Sequence, residues 1–215
     1  MRSDTVRKII RAYDDPVVRT YCWVRFGILR QRFLDEIGQY LPDAGPVLDI
    51  GCGFGLFSLY YAATGPERFV RGIDVNTRRI AIARRAASRL GIANVAYDEG
   101  DARHFKGDGT LEAAYMLDIV HHVPPAAVPP LFVQIHRALA PGGVLLVKDV
   151  DTRPVLKRWF TWVLDRAMMP RAPVHYWSAA ALSAVLEAVG FRVRRHLLVD
   201  ILPYPHVLYV CERRP

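Results

Sequence analysis

One nine-residue run, Val47-Leu48-Asp49-Ile50-Gly51-Cys52-Gly53-Phe54-Gly55, restricts the fold of this 215-residue chain more than any other stretch. Four residues of β-strand character lead into a turn with glycine at every second position. An apolar helical pattern opens directly behind it, over residues 56–63. Glycines permit positive φ and remove the Cβ atoms that would hold a ligand away from the backbone. The helix N-terminus then offers N–H groups to an anionic group. A G-x-G-x-x-G dinucleotide loop needs its third glycine at position 56, where this chain has Leu56. The spacing is G-x-G-x-G instead, with Asp49 two residues ahead of the first glycine.

Downstream, short β-type runs alternate with helical patterns. Residues 69–74 read as a strand, followed by a helix with Asn76 as N-cap, Ile80, Ala83, Ala87 and Leu90 on one face, and Gly91 at its end. Residues 95–97 and 114–117 are further strands. Pro129 and Pro130 suit a helix first turn, continued by Leu131, Ile135 and Leu139 up to Pro141-Gly142-Gly143. A strand follows at 144–147, then a helix near 155–168 and another from Ser178 to Val189 with Gly190 beyond. Strands at 191–199 and 207–211 end the chain. This alternation implies a mostly parallel sheet covered on both faces. The last two strands are joined by too few residues for a crossover helix, so they should pair antiparallel. Upstream, Val18, Cys22, Phe26, Leu29, Phe33, Ile37 and Tyr40 form one helical stripe over residues 17–41, stopped by Pro42 and Gly45. Residues 1–45 are thus expected to form an N-terminal helical cap on a single globular unit, 46–215.

At 52% hydrophobic and 23% charged residues, the chain can bury a sizeable core. Its apolar runs stay well short of the roughly 18 residues a spanning helix needs. The first fifteen residues lack the apolar core and cleavage site of a signal peptide. Three widely spaced cysteines with no C-x-x-C pair fit a reducing cytosol, so a cytoplasmic protein is expected. The net charge of +8 raises nucleic acid, anionic membrane or an acidic substrate as partners. The basic residues are 25 Arg against 4 Lys, a skew that coding composition alone can produce.

Two further carboxylates sit at successive strand ends. Asp74 closes the second strand, where it can accept both hydroxyls of a ribose. Asp101, in Glu99-Gly100-Asp101-Ala102, closes the third, where it can accept from an exocyclic amino group. With Asp49 they describe a pocket for a nucleoside bearing an amino-acid-like tail.

On these residues the chain resembles the class I S-adenosylmethionine-dependent methyltransferases, especially the small-molecule type similar to ubiquinone/menaquinone-biosynthesis enzymes. VLDIGCGFG looks like their first motif, GIDVN their second-strand acid and EGDAR their adenine contact. AYMLDIVHHV and LAPGGVLLVKDV look like the fourth- and fifth-strand motifs. The resemblance implies a Rossmann-like α/β three-layer sandwich, its seven-stranded sheet ordered 3-2-1-4-5-7-6 with strand 7 antiparallel. It implies S-adenosyl-L-methionine as cofactor and S-adenosyl-L-homocysteine as product. Asp49 and the loop of Gly51, Cys52, Gly53 and Gly55 would lie near the methionine moiety. Asp74 would lie at the ribose, Asp101 and Ala102 at the adenine and Leu117 near the sulfonium, with Val75 a further cofactor-binding residue.

Methyl transfer from a sulfonium is an in-line displacement, so the protein mainly aligns the partners, an effect that supplies up to about 7–11 kcal/mol. His122 is the first candidate for a general base and His121 the second; the alternative is that both support the cofactor loop. Asp149 and Asp151 can bind a basic substrate group or a metal, or pair with Arg153. Their pattern does not match the metal-dependent catechol type, so no metal is assigned. A lid insertion at about 152–177, rich in Trp, Phe and Met and including Trp159 and Trp162, is expected to enclose an apolar or aromatic, lipid-like acceptor together with Tyr13, Tyr21 and Arg25. Its basic flanks suit peripheral contact with an anionic membrane at the inner face. An ordinary amphipathic helix is the alternative. A nucleic-acid methyltransferase is the rival reading. However, the turn His122-Val123-Pro124-Pro125-Ala126 lacks the leading polar residue and trailing aromatic of amino-methylating enzymes, so nucleic acid is not expected. A non-catalytic scaffold that keeps the cofactor pocket is the other alternative.

Overall fold

The computed structural model describes residues 2–29, 31–152, 174–198 and 206–214. Its strands are β1 (Gly45–Ile50), β2 (Arg68–Asp74), β3 (Val95–Glu99), β4 (Leu111–Leu117), β5 (Leu139–Val150), β6 (Phe191–Leu197) and β7 (His206–Arg213). They form one sheet of order β3-β2-β1-β4-β5-β7-β6, as the family resemblance implies. β1 pairs parallel with β2 on one side and β4 on the other, and β3 and β5 extend the parallel run outward. β7 lies antiparallel to both β5 and β6.

Successive side chains of a strand point to opposite faces, and the two faces of this sheet feed two cores. Val47, Val70, Tyr115 and Leu146 pack with the helices α1 (Arg2–Ala12), α2 (Pro16–Ile28), α3 (Gln31–Gly38), α4 (Leu56–Thr64) and α5 (Thr77–Leu90). Leu48, Ile50, Met116 and Val147 pack with α6 (Val128–Ala138) and α7 (Ala179–Val189). Helix, sheet and helix thus make three layers. The last four residues of β1 are all buried, as a strand covered on both faces requires. Capping follows the sequence signals. Asn76 accepts from the Arg79 N–H, and Gly91 closes α5 at φ +64° with its N–H on the Ala87 and Ser88 carbonyls. The Ser178 side chain accepts from the Ala181 N–H at the start of α7.

Three local differences have physical causes. The stripe over residues 17–41 is two helices, broken where Leu29 leaves helical geometry at φ −87°, ψ 80°. Leu29 is itself buried, so the apolar spacing runs straight across the break and periodicity carries no sign of it. A separate helix, α1, precedes them and packs on α4 and α5. Asp15 begins α2, its carboxylate accepting from the Val17 and Val18 N–H groups. β5 starts at Leu139, not 144: Leu139 pairs with Leu111 across an irregularity in the β4–β5 ladder, so α6 stops at Ala138. The helix expected near 155–168, most of the lid at 152–177, and the 200–205 connection lie outside the described residues.

Phe132 on α6 is wholly buried in the second core. Phe132→Ala should lower unfolding stability by about 3–5 kcal/mol, measured by urea denaturation of the ligand-free protein.

Candidate functional site

The carboxyl ends of β1 to β5 open on one crevice, with β1 and β4 side by side at its centre. This is where an open α/β sheet binds ligands, because the connections leave those strands toward opposite faces. The turn after β1 is built by backbone hydrogen bonds: the N–H groups of Gly51 and Cys52 both donate to the Ile73 carbonyl, at 2.8 and 3.0 Å. Gly53 sits at φ +56° with nothing within 4 Å of where a Cβ would stand, so its bare face is cavity wall. Gly55, at φ +78°, is bare for the opposite reason: a Cβ would collide with the Tyr97 ring, whose hydroxyl donates to the Gly55 carbonyl.

Asp74 at the end of β2 locks this turn. One carboxylate oxygen accepts the Gly53 N–H at 2.9 Å and the other accepts the Asn76 N–H at 2.8 Å. Tyr13 braces it from behind, its buried hydroxyl donating to the Phe54 carbonyl at 2.9 Å. Asp49, 3% exposed, accepts from the Ser58 hydroxyl at 2.5 Å. Burial pushes its pKa up to about 7, helped by the charge of Asp74 and opposed by the hydroxyls of Ser58 and Tyr115. Asp101 caps a short turn and takes the Nε–H of Arg103 at 2.8 Å, which keeps its carboxyl below the usual range.

Two cavities adjoin at Gly51, Arg79, Ile119 and His122, which line both. One, of about 330 Å³, gathers Asp74, Asp101 and Ala102, the residues expected at ribose and adenine, together with Val75. The other, of about 400 Å³, gathers Asp49, Cys52, Gly53 and Leu117 with Tyr21, Arg25, Asp118, His121 and His206. The donor set fits an adenosyl amino acid: carboxylates for the sugar and base at one end, a glycine-lined floor and a buried carboxyl at the other. Gly55 and Tyr13 line neither cavity among the described residues; they hold the loop in place.

Of the residues expected at the acceptor, Tyr21 and Arg25 line the larger cavity, and the Tyr21 ring meets Phe54 edge-on at 5.6 Å. Asp149 lies beneath the wall. One of its oxygens is 2.5 Å from His121 Nδ1 and the other accepts the His121 backbone N–H at 3.0 Å. The His121 and His122 rings touch with centroids 4.1 Å apart, tilted 53° to each other. Asp151 turns away and accepts the Ala179 N–H at 3.1 Å. Trp159 and Trp162 lie outside the described residues, as does Arg153.

Sequence reasoning missed a buried ionic cluster. Lys148, wholly buried, donates to both oxygens of Asp118 at 2.7 and 2.8 Å and lies 3.1 Å from His206 Nε2. The Arg25 guanidinium also bonds Asp118. Burial raises the Asp118 pKa, but Lys148, Arg25 and His206 outweigh it and hold the carboxyl well below its usual range. Asp118 itself stands at φ +60°, the one non-glycine residue with positive φ among those described. The available signal was a lysine inside the otherwise apolar run of β5.

Residues 25–196 match the family model of a methyltransferase domain. The chain belongs to the S-adenosylmethionine-dependent methyltransferase family. It is 26% identical over 156 residues to an uncharacterized methyltransferase of Synechocystis, covering 70% of this chain and 69% of that protein. It is 30% identical to the fatty-acid O-methyltransferase of Mycolicibacterium smegmatis over 72% of this chain and 57% of that protein. For the ubiquinone biosynthesis O-methyltransferase of Pseudomonas paraeruginosa the identity is 32%, over 59% of this chain and 52% of the relative. The chain therefore spans little more than half the length of these two named enzymes. Among solved structures, a Pyrococcus horikoshii protein aligns with TM-score 0.72 at 22% identity, covering 94% of this chain and 93% of its own. A [4+2]-cyclase, SpnF, aligns at 0.71 and 19%, covering 85% and 80%. At these identities they attest the fold alone.

Asp49 supplies a pH signature. The folded protein keeps its proton up to about pH 7, whereas an unfolded chain releases it near 3.8. Between those values the native state binds more protons, so this group's contribution to stability falls as pH rises. Asp49→Asn cannot titrate and should flatten that fall. At pH 8 the ligand-free variant should be more stable than the wild type by on the order of a few kcal/mol, with little difference at pH 4, as urea titrations at both values would reveal.

Proposed function

We propose that the protein transfers a methyl group from S-adenosylmethionine to an oxygen of a small acceptor with an apolar or aromatic, lipid-like body. One observation carries this reading: the cavity of nucleoside-binding carboxylates opens, across Gly51 and His122, on a second cavity lined by His121, which Asp149 holds from behind. Bound S-adenosylmethionine supplies an activated methyl on a sulfonium.

The residues of the chain do the rest. Asp74 would take the ribose hydroxyls, and Asp101 with Ala102 the adenine. Asp49 would take the ammonium of the amino-acid tail, and the open face of Gly53 leaves room for that tail. His121 is the better base of the two histidines. An ionised Asp149 within 2.5 Å favours the tautomer with the proton on Nδ1, which leaves Nε2 basic. It also stabilises the imidazolium that forms when Nε2 takes the acceptor's hydroxyl proton, a step contributing roughly 10²–10⁴-fold. His122, shared by both cavities, would separate cofactor from acceptor.

The names of the relatives, fatty-acid and ubiquinone biosynthesis O-methyltransferases and a 2-heptyl-1-hydroxyquinolin-4(1H)-one methyltransferase of Mycobacteroides abscessus, support an oxygen acceptor on an apolar body. Exposed Val17 and Trp23, 76% and 67% accessible on α2, support delivery of the acceptor from a membrane surface. No helix among the described residues is long and apolar enough to cross a membrane, so this contact would be peripheral.

Incubating cell extracts with the protein and deuterated-methyl S-adenosylmethionine should yield a labelled small molecule by mass spectrometry; no labelled species would overturn the reading. Asp74→Ala should weaken S-adenosylhomocysteine binding by about tenfold or more, because the sugar loses a charge-assisted partner; calorimetry measures it. His121→Asn should lower kcat by roughly 10²–10⁴-fold with little change in KM for the cofactor, read from the same labelled product.

A further inference from the structure

Helix α2 is uncharged and largely apolar on two opposite sides. Val18, Cys22 and Phe26 are buried against the protein, the ordinary inward stripe of a packed helix. The outward sector holds Pro16, Val17, Thr20, Trp23, Val24 and Gly27, spans about 120° of the helix and contains no charged residue. All six are exposed, Trp23 at 67% and Val24 at 43%. The Thr20 hydroxyl donates to the Pro16 carbonyl at 2.8 Å, so it has a partner without water. A helix facing solvent normally carries charge on this side, and contiguous exposed apolar surface marks a contact.

The two edges of the sector indicate what covers it. Along one edge Arg19 is exposed, with Arg85 and Arg89 nearby. All three act on the exposed Asp14 carboxylate and hold its pKa below the usual range, three cations to one acid. Arg19 and Arg89 also donate to the neutral carbonyls of Tyr13 and Ala12, which leaves their charge uncompensated. Asp15, the neighbouring acid, is matched by Arg78 at 3.6 Å. Along the other edge Val17 and Tyr21 line the larger cavity. Apolar side chains bordered by cations at a cavity entrance match an anionic lipid surface, where Trp sits at headgroup level and guanidinium groups meet phosphates. A nucleic acid would engage the cations and leave the apolar sector in water.

We propose that α2 is an interfacial helix: its outward sector lies in the surface of an anionic membrane, Arg19, Arg85 and Arg89 meet the headgroups, and the Val17–Tyr21 edge turns the larger cavity toward the lipid. The acceptor then enters from the bilayer and not from water. What enters the cavity rests on the methyltransferase reading; the docking itself does not.

The test uses the whole protein and vesicles of phosphatidylcholine, alone or mixed with phosphatidylglycerol. Flotation at low salt should show the mixed vesicles bound about tenfold or more tightly than phosphatidylcholine alone, and added salt should weaken that binding. The double variant Trp23→Gln/Val24→Gln, changed only at exposed positions, should lose about tenfold or more of it, while Trp23→Phe keeps it. By calorimetry the double variant should bind S-adenosylhomocysteine with wild-type affinity. No flotation of the wild type, equal binding to both vesicles, or undiminished binding by the double variant overturns the proposal. A dimer in sedimentation velocity that the double variant abolishes, without flotation, overturns it in favour of a second copy on this face. If S-adenosylhomocysteine does not bind the wild type, the methyltransferase reading fails whatever the vesicles show; if it binds and the vesicles do not, only the docking fails.

Discussion

The bond from the Gly53 N–H to the Asp74 carboxylate ties the turn after one strand to the tip of the next, and the site is arranged around it. It needs β1 and β2 in parallel register, so that Ile50 and Ile73 are partners and both strands end at the same height. It also needs a residue at 53 that tolerates positive φ without a side chain in the way. Given that contact, α4 starts immediately beneath the cavity, Asp49 sits at the cavity floor bonded to Ser58, and Tyr13 reaches the loop from the far side. The fold and the binding floor are therefore one construction.

Around that floor, three carboxyls, Asp49 and Asp149 buried and Asp118 partly exposed, behave differently because their neighbours differ. Asp49 has hydroxyls but no cation, so burial wins and it holds a proton to near neutrality. Asp118 has Lys148 and Arg25 on it and stays ionised. Asp149 has a histidine, whose orientation it fixes at two points. Depth alone predicts none of this; the identity of the nearest donor does.

Much of this was legible in the residues. Strand tips announced themselves through an acid after each apolar run, at Asp49, Asp74 and Asp101, and two of the helix ends through Asn76 and Gly91. The sheet order followed from the family resemblance, and the antiparallel last pair also from its short connection. Three features stayed hidden, each for a physical reason. The break at Leu29 does not disturb apolar spacing. The Lys148–Asp118–His206 cluster joins residues up to 88 positions apart that no local pattern links, though a lone lysine in a buried strand was a hint. Tyr13 resembled a ligand residue because it sits beside the site, yet what it touches is a backbone carbonyl of the loop.

Lys148 and Asp149 are consecutive residues of β5, pointing to opposite faces of the sheet. Each meets its own partner: the lysine Asp118, the aspartate His121. Sliding β5 by one residue against its neighbours would present carboxylate to carboxylate on one face and ammonium to imidazole on the other. The pair therefore acts as a polarity key for the strand, penalising misaligned pairing with β4 and β7 by like-charge contact as well as by lost apolar packing.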